Sequence, residues 1–206
     1  VGFSQLITSP DANLSQEERQ DFCHLIQHNS DLLLTLVGDI LSAAELESNR
    51  YTMKIAPHSC NKLCREAITT VEHRKPEGVK LYYTSEVDDC YELITDGQRV
   101  CQILINFLTN AEKHTTQGEI RLHCSLTENP GYVTFSVTDT GTGIPPEYSE
   151  TIFERFEKAD NFGQGTGLGL NICRLIAERL KGKVLLDKEY KEGARFVFVL
   201  PVKKSI

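Results

Sequence analysis

Three polar residues along one stretch of the chain have side chains suited to a magnesium-bound polyphosphate. Asn106 and Asn110 are four residues apart, and Lys113 follows three residues later. On a helix, which residues 97–115 are predicted to form, this spacing places all three side chains on one face. An amide oxygen can ligate Mg²⁺, and an ammonium group offsets phosphate charge. On this helix alone, a solvated polar face explains the same pattern.

A carboxylate and two glycines stand at the predicted end of a strand. Asp139 is followed by Thr-Gly-Thr-Gly-Ile-Pro, in which Gly141 and Gly143 allow the backbone to approach a ligand closely. The carboxylate can accept a hydrogen bond from the exocyclic amine of adenine, whereas guanine presents an acceptor at the corresponding place. Taken alone, the sequence DTGTG at residues 139–143 is also typical of an ordinary turn.

A glycine-rich segment precedes the last predicted helix. Residues 163–170 read Gly-Gln-Gly-Thr-Gly-Leu-Gly-Leu, and backbone N–H groups at a helix start favour phosphate. The segment is not a dinucleotide fingerprint, because Leu168 stands where that pattern needs glycine, and no Gly-Lys-Ser/Thr closes a P-loop. Just before it, Phe153 and Phe156 are expected either to anchor a cover over a nucleotide or to pack in the core.

A long helix that begins near Ser15 is predicted to precede these motifs. Ser15 and Glu18 form a capping box, and an apolar pattern with helical spacing continues to about Ser48. Residues 1–7 are interpreted as the stub of a preceding antiparallel helix. Residues 1–50 are therefore expected to form a partial helical hairpin.

Residues 51–206 are expected to form a separate α/β body, because shorter units replace the long pattern. Its fold class is predicted as α+β, with interleaved helices and antiparallel strands. The predicted helices are 60–71, 97–115 and 170–181, and the predicted strands are 80–85, 120–126, 133–137, 184–187 and 195–200. Gly182 is expected to stop the last helix. Arg99 and Gln102 are expected to share the polar face of the middle helix.

Composition and charge limit the classes of function. The 206 residues are 40% hydrophobic and 25% charged, as in an ordinary globular chain. A net charge of −7 argues against nucleic acid as a partner. No apolar run approaches the roughly 18 residues that a spanning helix needs, so no membrane contact is expected. Seven cysteines without a CxxC pair favour a reducing compartment, so a cytoplasmic location is expected.

Four motifs, in this order, resemble those of the histidine-kinase catalytic domain. QILINFLTNAEKHT is similar to its N box, DTGTGIP to its G1 box, IFERF to its F box and GQGTGLGL to its G2 box. GARFVFVLP resembles the closing strand of that family, and residues 14–48 resemble the second helix of its dimerisation and phosphotransfer domain. The resemblance implies a two-layer α/β sandwich of the Bergerat type, preceded by a partial helical hairpin, in a two-component sensor histidine kinase.

The resemblance also implies which residues bind ATP and Mg²⁺. Asn110 would be the metal ligand and Asn106 its companion, Lys113 would contact phosphate, and Asp139 would accept from adenine. Asn106 and Lys113 would act in catalysis. The other residues implied at the nucleotide are His114, Gly141, Gly143, Ile144, Phe156, Gly165, Thr166, Gly167, Leu168 and Gly169.

Asn106 points to phosphoryl transfer rather than hydrolysis. In related ATPases of the gyrase and chaperone kind, a glutamate at this position activates water, which an amide cannot do. The resemblance implies a phospho-accepting histidine upstream of this sequence, since none of its six histidines has the acidic-basic-proline context of the family. Arg155 and Lys158 are the candidates to meet the γ-phosphate. A hydrolytic ATPase and a non-catalytic regulatory module are the alternatives.

The implied partners follow from the same resemblance. A response-regulator receiver domain would take the phosphoryl group on an aspartate, and the full-length parent would form a homodimer through its helical hairpin. Full-length members usually join such a core to a sensor, often through a membrane.

Overall fold

A computed structural model describes residues 14–48, 51–126, 131–157 and 166–202. Its helices are α1 (Gln16–Glu47), α2 (Cys60–Val71), α3 (Gly97–His114) and α4 (Gly169–Arg179), with 3-10 turns at Glu72–Arg74, Pro146–Tyr148 and Thr151–Phe153. Its strands are β1 (Ala56–Ser59), β2 (Val79–Ser85), β3 (Glu92–Thr95), β4 (Gly118–Leu126), β5 (Tyr132–Asp139), β6 (Lys183–Leu186) and β7 (Arg195–Pro201). Within these described ranges, no helix has the length and hydropathy needed to cross a bilayer.

Helix α1 begins and ends where its sequence predicts. The Ser15 hydroxyl accepts from the N–H of Glu18 at 3.2 Å, and the Glu18 carboxylate accepts from the N–H of Ser15 at 2.8 Å. This reciprocal pair is the capping box that fixes a helix start. Residues 1–7 lie outside the described residues, so the hairpin and the domain boundary after residue 50 stay predictions.

The main sheet has five strands in the order β2-β4-β5-β7-β6. Strand β2 pairs parallel to β4, and all other neighbours are antiparallel. The strands expected from apolar alternation are confirmed. Strands β1 and β3 were not predicted, and they form a separate antiparallel pair. Each has only four residues, too few for a period of two to stand out from the sequence.

Helices α2, α3 and α4 cover one face of the sheet, which gives the predicted two-layer arrangement. On β4, Ile120, Leu122 and Cys124 are fully buried, and the residues between them are half-buried. This alternation puts every second side chain under the helices. Phe107 of α3 stacks on Phe196 of β7 with their ring centroids 5.1 Å apart, which ties the helix layer to the sheet.

Helix α4 ends two residues earlier than predicted, at Arg179. The left-handed residue after it is Lys181, with φ of 64°, and the N–H of Gly182 donates to the carbonyl of Ala177 at 2.8 Å. This is a Schellman ending in which lysine, not glycine, takes the left-handed position. Gly182 is needed for packing instead, because a Cβ there would lie 2.4 Å from the Val199 carbonyl oxygen.

The C-terminal end of α1 packs against the α/β body. Ala43 and Leu46 are buried there. The guanidinium of Arg179 donates to the carbonyl of Leu46 and, at 2.9 Å, to that of Ser48. These carbonyls at the end of a helix have no partner within the helix, so Arg179 both satisfies them and joins α1 to the end of α4.

Candidate functional site

A cavity of about 520 Å³ lies between α1, α3 and the loops that follow β5 and precede α4. Its volume is within the range of small-molecule sites in proteins. Ten of the predicted site residues line it: Asn106, Asn110, Lys113, His114, Asp139, Gly143, Ile144, Thr166, Gly167 and Gly169. Gly141, Phe156 and Leu168 are not among its lining residues, and Gly165 lies outside the described residues.

The two asparagines of α3 are in contact, as their spacing predicts. The amide nitrogen of Asn110 donates to Oδ1 of Asn106 at 3.3 Å. A Cβ on Gly169 would lie 2.4 Å from the side-chain nitrogen of Asn106, so a larger residue where α4 begins would displace that amide. The start of α4 is therefore held directly beside the amide pair.

The rest of the polar face of α3 serves another purpose. Arg99 donates to the hydroxyl of Tyr51 at 2.8 Å and to Oε1 of Gln102 at 2.7 Å, and its guanidinium lies 4.3 Å from the centre of the Tyr51 ring. Neither Arg99 nor Gln102 lines the cavity. The expectation of one continuous polar face at the site is thus corrected, because the first two turns of α3 anchor the segment before β1.

Asp139 ends β5 with a buried carboxylate. Its Oδ1 accepts from the backbone N–H of Gly141 at 2.9 Å and of Ala194 at 3.1 Å. Burial raises the pKa of the Asp139 carboxyl above its ordinary value, although these two N–H groups and nearby His114 oppose the change. The hydrogen bonds within the described residues all reach Oδ1, which leaves Oδ2 to accept from a ligand.

Glycines after Asp139 are required by close backbone contacts. A Cβ on Gly141 would lie 2.3 Å from the carbonyl oxygen of His114. Gly143 has a left-handed φ of 71°, and a Cβ there would lie 3.0 Å from the Gly193 carbonyl oxygen. Gly141 therefore shapes the turn from behind, and Gly143 forms part of the cavity wall.

The segment before α4 brings backbone N–H groups to the other side of the cavity. Gly167 has a φ of 70°, and a Cβ there would meet the Cα of Phe156 at 2.9 Å. The N-cap residue of α4, Leu168, provides no side-chain hydrogen bond to the first turn. The uncapped N–H groups of a helix start favour an anion.

The side chain of Leu168 is a core residue rather than a cavity residue, contrary to expectation. It is buried, and its N–H donates to the hydroxyl of Thr166 at 3.2 Å. That hydroxyl in turn donates to the carboxylate of Asp39 on α1 at 2.8 Å. Leucine occupies this position because the side chain fills the space beneath the loop while the backbone turns toward the cavity.

The two phenylalanines before the glycine-rich segment have different surroundings. Phe153 is buried and meets Phe196 edge-on, with ring centroids 6.2 Å apart, so the core alternative is confirmed for it. Phe156 is exposed, has a left-handed φ of 62°, and donates its N–H to the carbonyl of Gly167 at 3.0 Å. A nucleotide contact by Phe156 stays a prediction.

Of the two basic residues that were candidates to meet the γ-phosphate, Arg155 pairs with Glu47 of α1, and Lys158 lies outside the described residues.

One wall of the cavity was not predicted from the sequence. His28, Asp31, Leu32, Thr35 and Asp39 of α1 line the cavity opposite α3. Their spacing of three and four residues shows that they share a helix face, but nothing local indicates what that face meets. This face of α1 reaches the cavity through tertiary packing, and the spacing of apolar residues along α1 does not indicate that packing.

The geometry defines a site for a molecule with two different ends. The Asp139 carboxylate can receive a hydrogen bond from a nitrogenous base. The amides of α3, Lys113 and the N-terminus of α4 suit phosphates and their cation.

Comparison with known proteins gives the family of this domain. Residues 95–204 match the family described as histidine kinase-, DNA gyrase B-, and HSP90-like ATPases. The match covers more than half of the chain and includes all four motifs. The chain therefore belongs to this family, as an ATP-binding catalytic domain of the histidine kinase kind.

Similar curated proteins are named as histidine kinases. Hybrid signal transduction histidine kinase A of Dictyostelium discoideum is 32% identical over 216 residues, which cover 98% of this chain and 10% of that protein. Autoinducer 2 sensor kinase/phosphatase LuxQ of Vibrio parahaemolyticus is 30% identical, over 98% of this chain and 24% of that protein. The chain thus spans no more than about a quarter of these relatives.

Solved structures with the same arrangement come from histidine kinases. Full-length ShkA, in a complex with AMPPNP, has a TM-score of 0.78 to this structure at 31% identity. The match covers 99% of this chain and 42% of the ShkA chain. Histidine kinase ThkA, in a complex with the response regulator TrrA, has a TM-score of 0.78 at 25% identity. That match covers 98% of this chain and 56% of the ThkA chain. Both similarities extend over α1 as well as the α/β body.

Proposed function

We propose that the cavity binds ATP, with the adenine amine on Asp139 and the phosphates between α3 and the start of α4. The observation that carries this proposal is the convergence of three segments distant in sequence on one cavity. One brings an acceptor with a free oxygen, one brings two amides and a lysine, and one brings the N–H groups of a helix start. Full-length ShkA carries the ATP analogue AMPPNP, which supports the same ligand here.

Asn110 is the residue that we assign to Mg²⁺, with Asn106 beside it. Amide oxygens suit an ion that phosphate oxygens and waters hold for the most part, which is how Mg²⁺ commonly binds. When bound, Mg²⁺ would offset the negative charge of the phosphates during transfer.

Phosphoryl transfer, not hydrolysis, is the reaction that we assign to this site. The Asn106 side chain is an amide, and an amide cannot take a proton from an attacking water. Lys113 and the N–H groups before α4 would stabilise negative charge on the transferred phosphoryl group. Its acceptor would be a histidine upstream in a longer parent, and a response-regulator aspartate would take it next. The complex of ThkA with TrrA supports this second partner.

We assign residues 1–50 to a dimerising helical hairpin and residues 51–206 to the catalytic domain. Large apolar side chains on α1 remain exposed on the side away from the cavity: Leu33, Leu34, Val37, Ile40 and Leu41. An exposed apolar stripe of this size marks a contact surface, and a second copy of the parent would cover it. All seven cysteines are free thiols, which supports a cytoplasmic location for this region.

Titration calorimetry with ATP, with and without Mg²⁺, tests the proposal. The chain should bind ATP more tightly with Mg²⁺, and Asn110→Ala should remove most of that difference. The matched control is Asn29→Ala, since Asn29 is exposed on α1 and its amide donates to the Leu25 carbonyl at 2.7 Å, outside the cavity. Absence of Mg²⁺-dependent binding by the wild-type chain would overturn the proposal.

A further inference from the structure

The loop between β6 and β7 lies directly over Asp139. A Cβ on Gly193 would be 2.1 Å from the Asp139 carbonyl oxygen and 2.9 Å from its Oδ1. The N–H of Asp139 donates to the carbonyl of Ala194 at 2.9 Å. The position of the carboxylate therefore depends on where this loop is held.

The pairing of β5 with β7 changes at Asp139 in a specific way. Their register pairs Thr138 with Arg195, so its extension puts Ala194 opposite Asp139. Residues facing each other in a hydrogen-bonded antiparallel pair exchange two N–H to carbonyl bonds. Here only one of the two forms, because the N–H of Ala194 donates to the Asp139 carboxylate at 3.1 Å instead of to the carbonyl.

Tyr190 supplies the donor that the Asp139 carbonyl has lost. Its hydroxyl donates to that carbonyl oxygen at 3.1 Å, from a half-buried position in the same loop. A buried carbonyl without a hydrogen-bond partner destabilises the folded state. Because the Tyr190 hydroxyl satisfies the Asp139 carbonyl, the N–H of Ala194 can donate to the carboxylate without leaving that carbonyl unpaired. As a result, Oδ1 has two backbone donors, Gly141 and Ala194, while the Asp139 carbonyl has the Tyr190 hydroxyl.

We infer that Tyr190 is a positioning residue for the adenine acceptor. By satisfying the carbonyl of Asp139, it keeps the N–H of Ala194 on the carboxylate and so fixes the direction of Oδ2. Without the hydroxyl, the N–H of Ala194 returns to the carbonyl, as in an ordinary ladder, and the carboxylate loses one of its two fixed donors. This inference rests on the proposed role of Asp139 in ATP binding.

Selectivity for the adenine amine tests the inference. Wild type and Tyr190→Phe are titrated with ATP and with purine riboside triphosphate, which lacks the 6-amino group. Wild type should prefer ATP, and Tyr190→Phe should reduce that preference by at least about threefold, with little change in affinity for the analogue. The control is Tyr83→Phe. In the wild type the Tyr83 hydroxyl donates to Asn61, and Tyr83 is on β2, which is separated by β4 from the strand that carries Asp139.

The possible outcomes distinguish the role of Tyr190 from that of Asp139. An unchanged preference in Tyr190→Phe, or an equal loss of both nucleotides, would overturn the positioning role while leaving the ATP site intact. Failure of the wild type to prefer ATP over the analogue would overturn the role of Asp139 itself.

A second measurement needs no nucleotide. In the wild-type protein, the amide resonance of Ala194 should shift as Asp139 titrates, because its N–H donates to that carboxylate. In Tyr190→Phe the amplitude of this shift should fall, since the N–H has moved to the carbonyl. An amplitude equal to that of the wild type would contradict the inference.

Discussion

Asp139 meets two opposing demands. Burial disfavours its ionised form and raises the pKa of its carboxyl, yet only the ionised form accepts strongly from an adenine amine. The backbone N–H groups of Gly141 and Ala194 resolve the conflict in part, because both donate to the same oxygen. The ionised Asp139 therefore lowers the stability of the folded state while it provides the charged acceptor proposed for adenine, and such a conflict is common at functional sites.

Replacement of Asp139 by asparagine should separate binding from folding. The single oxygen of Asn can still accept from the two N–H groups, but an NH₂ donor then replaces the charged Oδ2 acceptor that faces adenine. We expect ATP affinity to fall about ten- to a hundredfold, with an unchanged circular dichroism spectrum. Wild-type affinity in Asp139→Asn would show that the adenine contact lies elsewhere.

The same substitution should change how stability depends on pH. A carboxyl whose pKa is raised in the folded state gives stability below its ordinary pKa of 3.8, and this is lost as pH rises through the raised value. Asp139→Asn does not titrate there, so its urea midpoint without nucleotide should rise relative to the wild type as the pH increases from 3.8 through the raised pKa. A difference in midpoint that stays constant over this range would contradict the assigned burial cost.

The junction between β1 and α3 has no room for a Cβ at Gly97 unless the His58 ring moves. A Cβ on Gly97, the first residue of α3, would lie 2.7 Å from the His58 ring. Gly97→Ala should therefore destabilise the protein by about 1–3 kcal/mol in chemical denaturation. Gly38→Ala is the matched control, because nothing lies within 4 Å of that Cβ on α1, and it should stabilise by about 0.5–1 kcal/mol. Similar effects of both substitutions would contradict the packing at this junction.

Elements with a strong local pattern were predictable, and contacts between elements were not. Helix α3 and its asparagine face follow from spacing alone, as does the capping box of α1. The separation of Arg99 from the cavity depends on Tyr51, which is 48 residues away in sequence and carries no local signal. The wall that α1 gives to the cavity is likewise a tertiary contact, which a periodic pattern cannot specify.

Helix α1 has two distinct faces in the folded molecule. One lines the cavity, and the other exposes an apolar stripe in which Leu34 is 71% exposed. If the stripe mediates the proposed dimer, Leu34→Glu with Leu41→Glu should weaken self-association at least about tenfold in sedimentation experiments. Leu126→Glu, an exposed apolar position on β4, should leave it unchanged. Unchanged self-association of the double variant would contradict the assignment of this face.

Transfer of label from ATP is the most direct test of phosphoryl transfer by this site. The chain and a version extended upstream to include a candidate acceptor histidine are each incubated with Mg·ATP labelled at the γ-phosphorus, and any labelled protein is then exposed to acid and to base. We expect the extended version to carry label that acid removes and base does not, as for phosphohistidine. An extended version that stays unlabelled and steadily releases inorganic phosphate would contradict this and would identify the site as that of a hydrolytic ATPase.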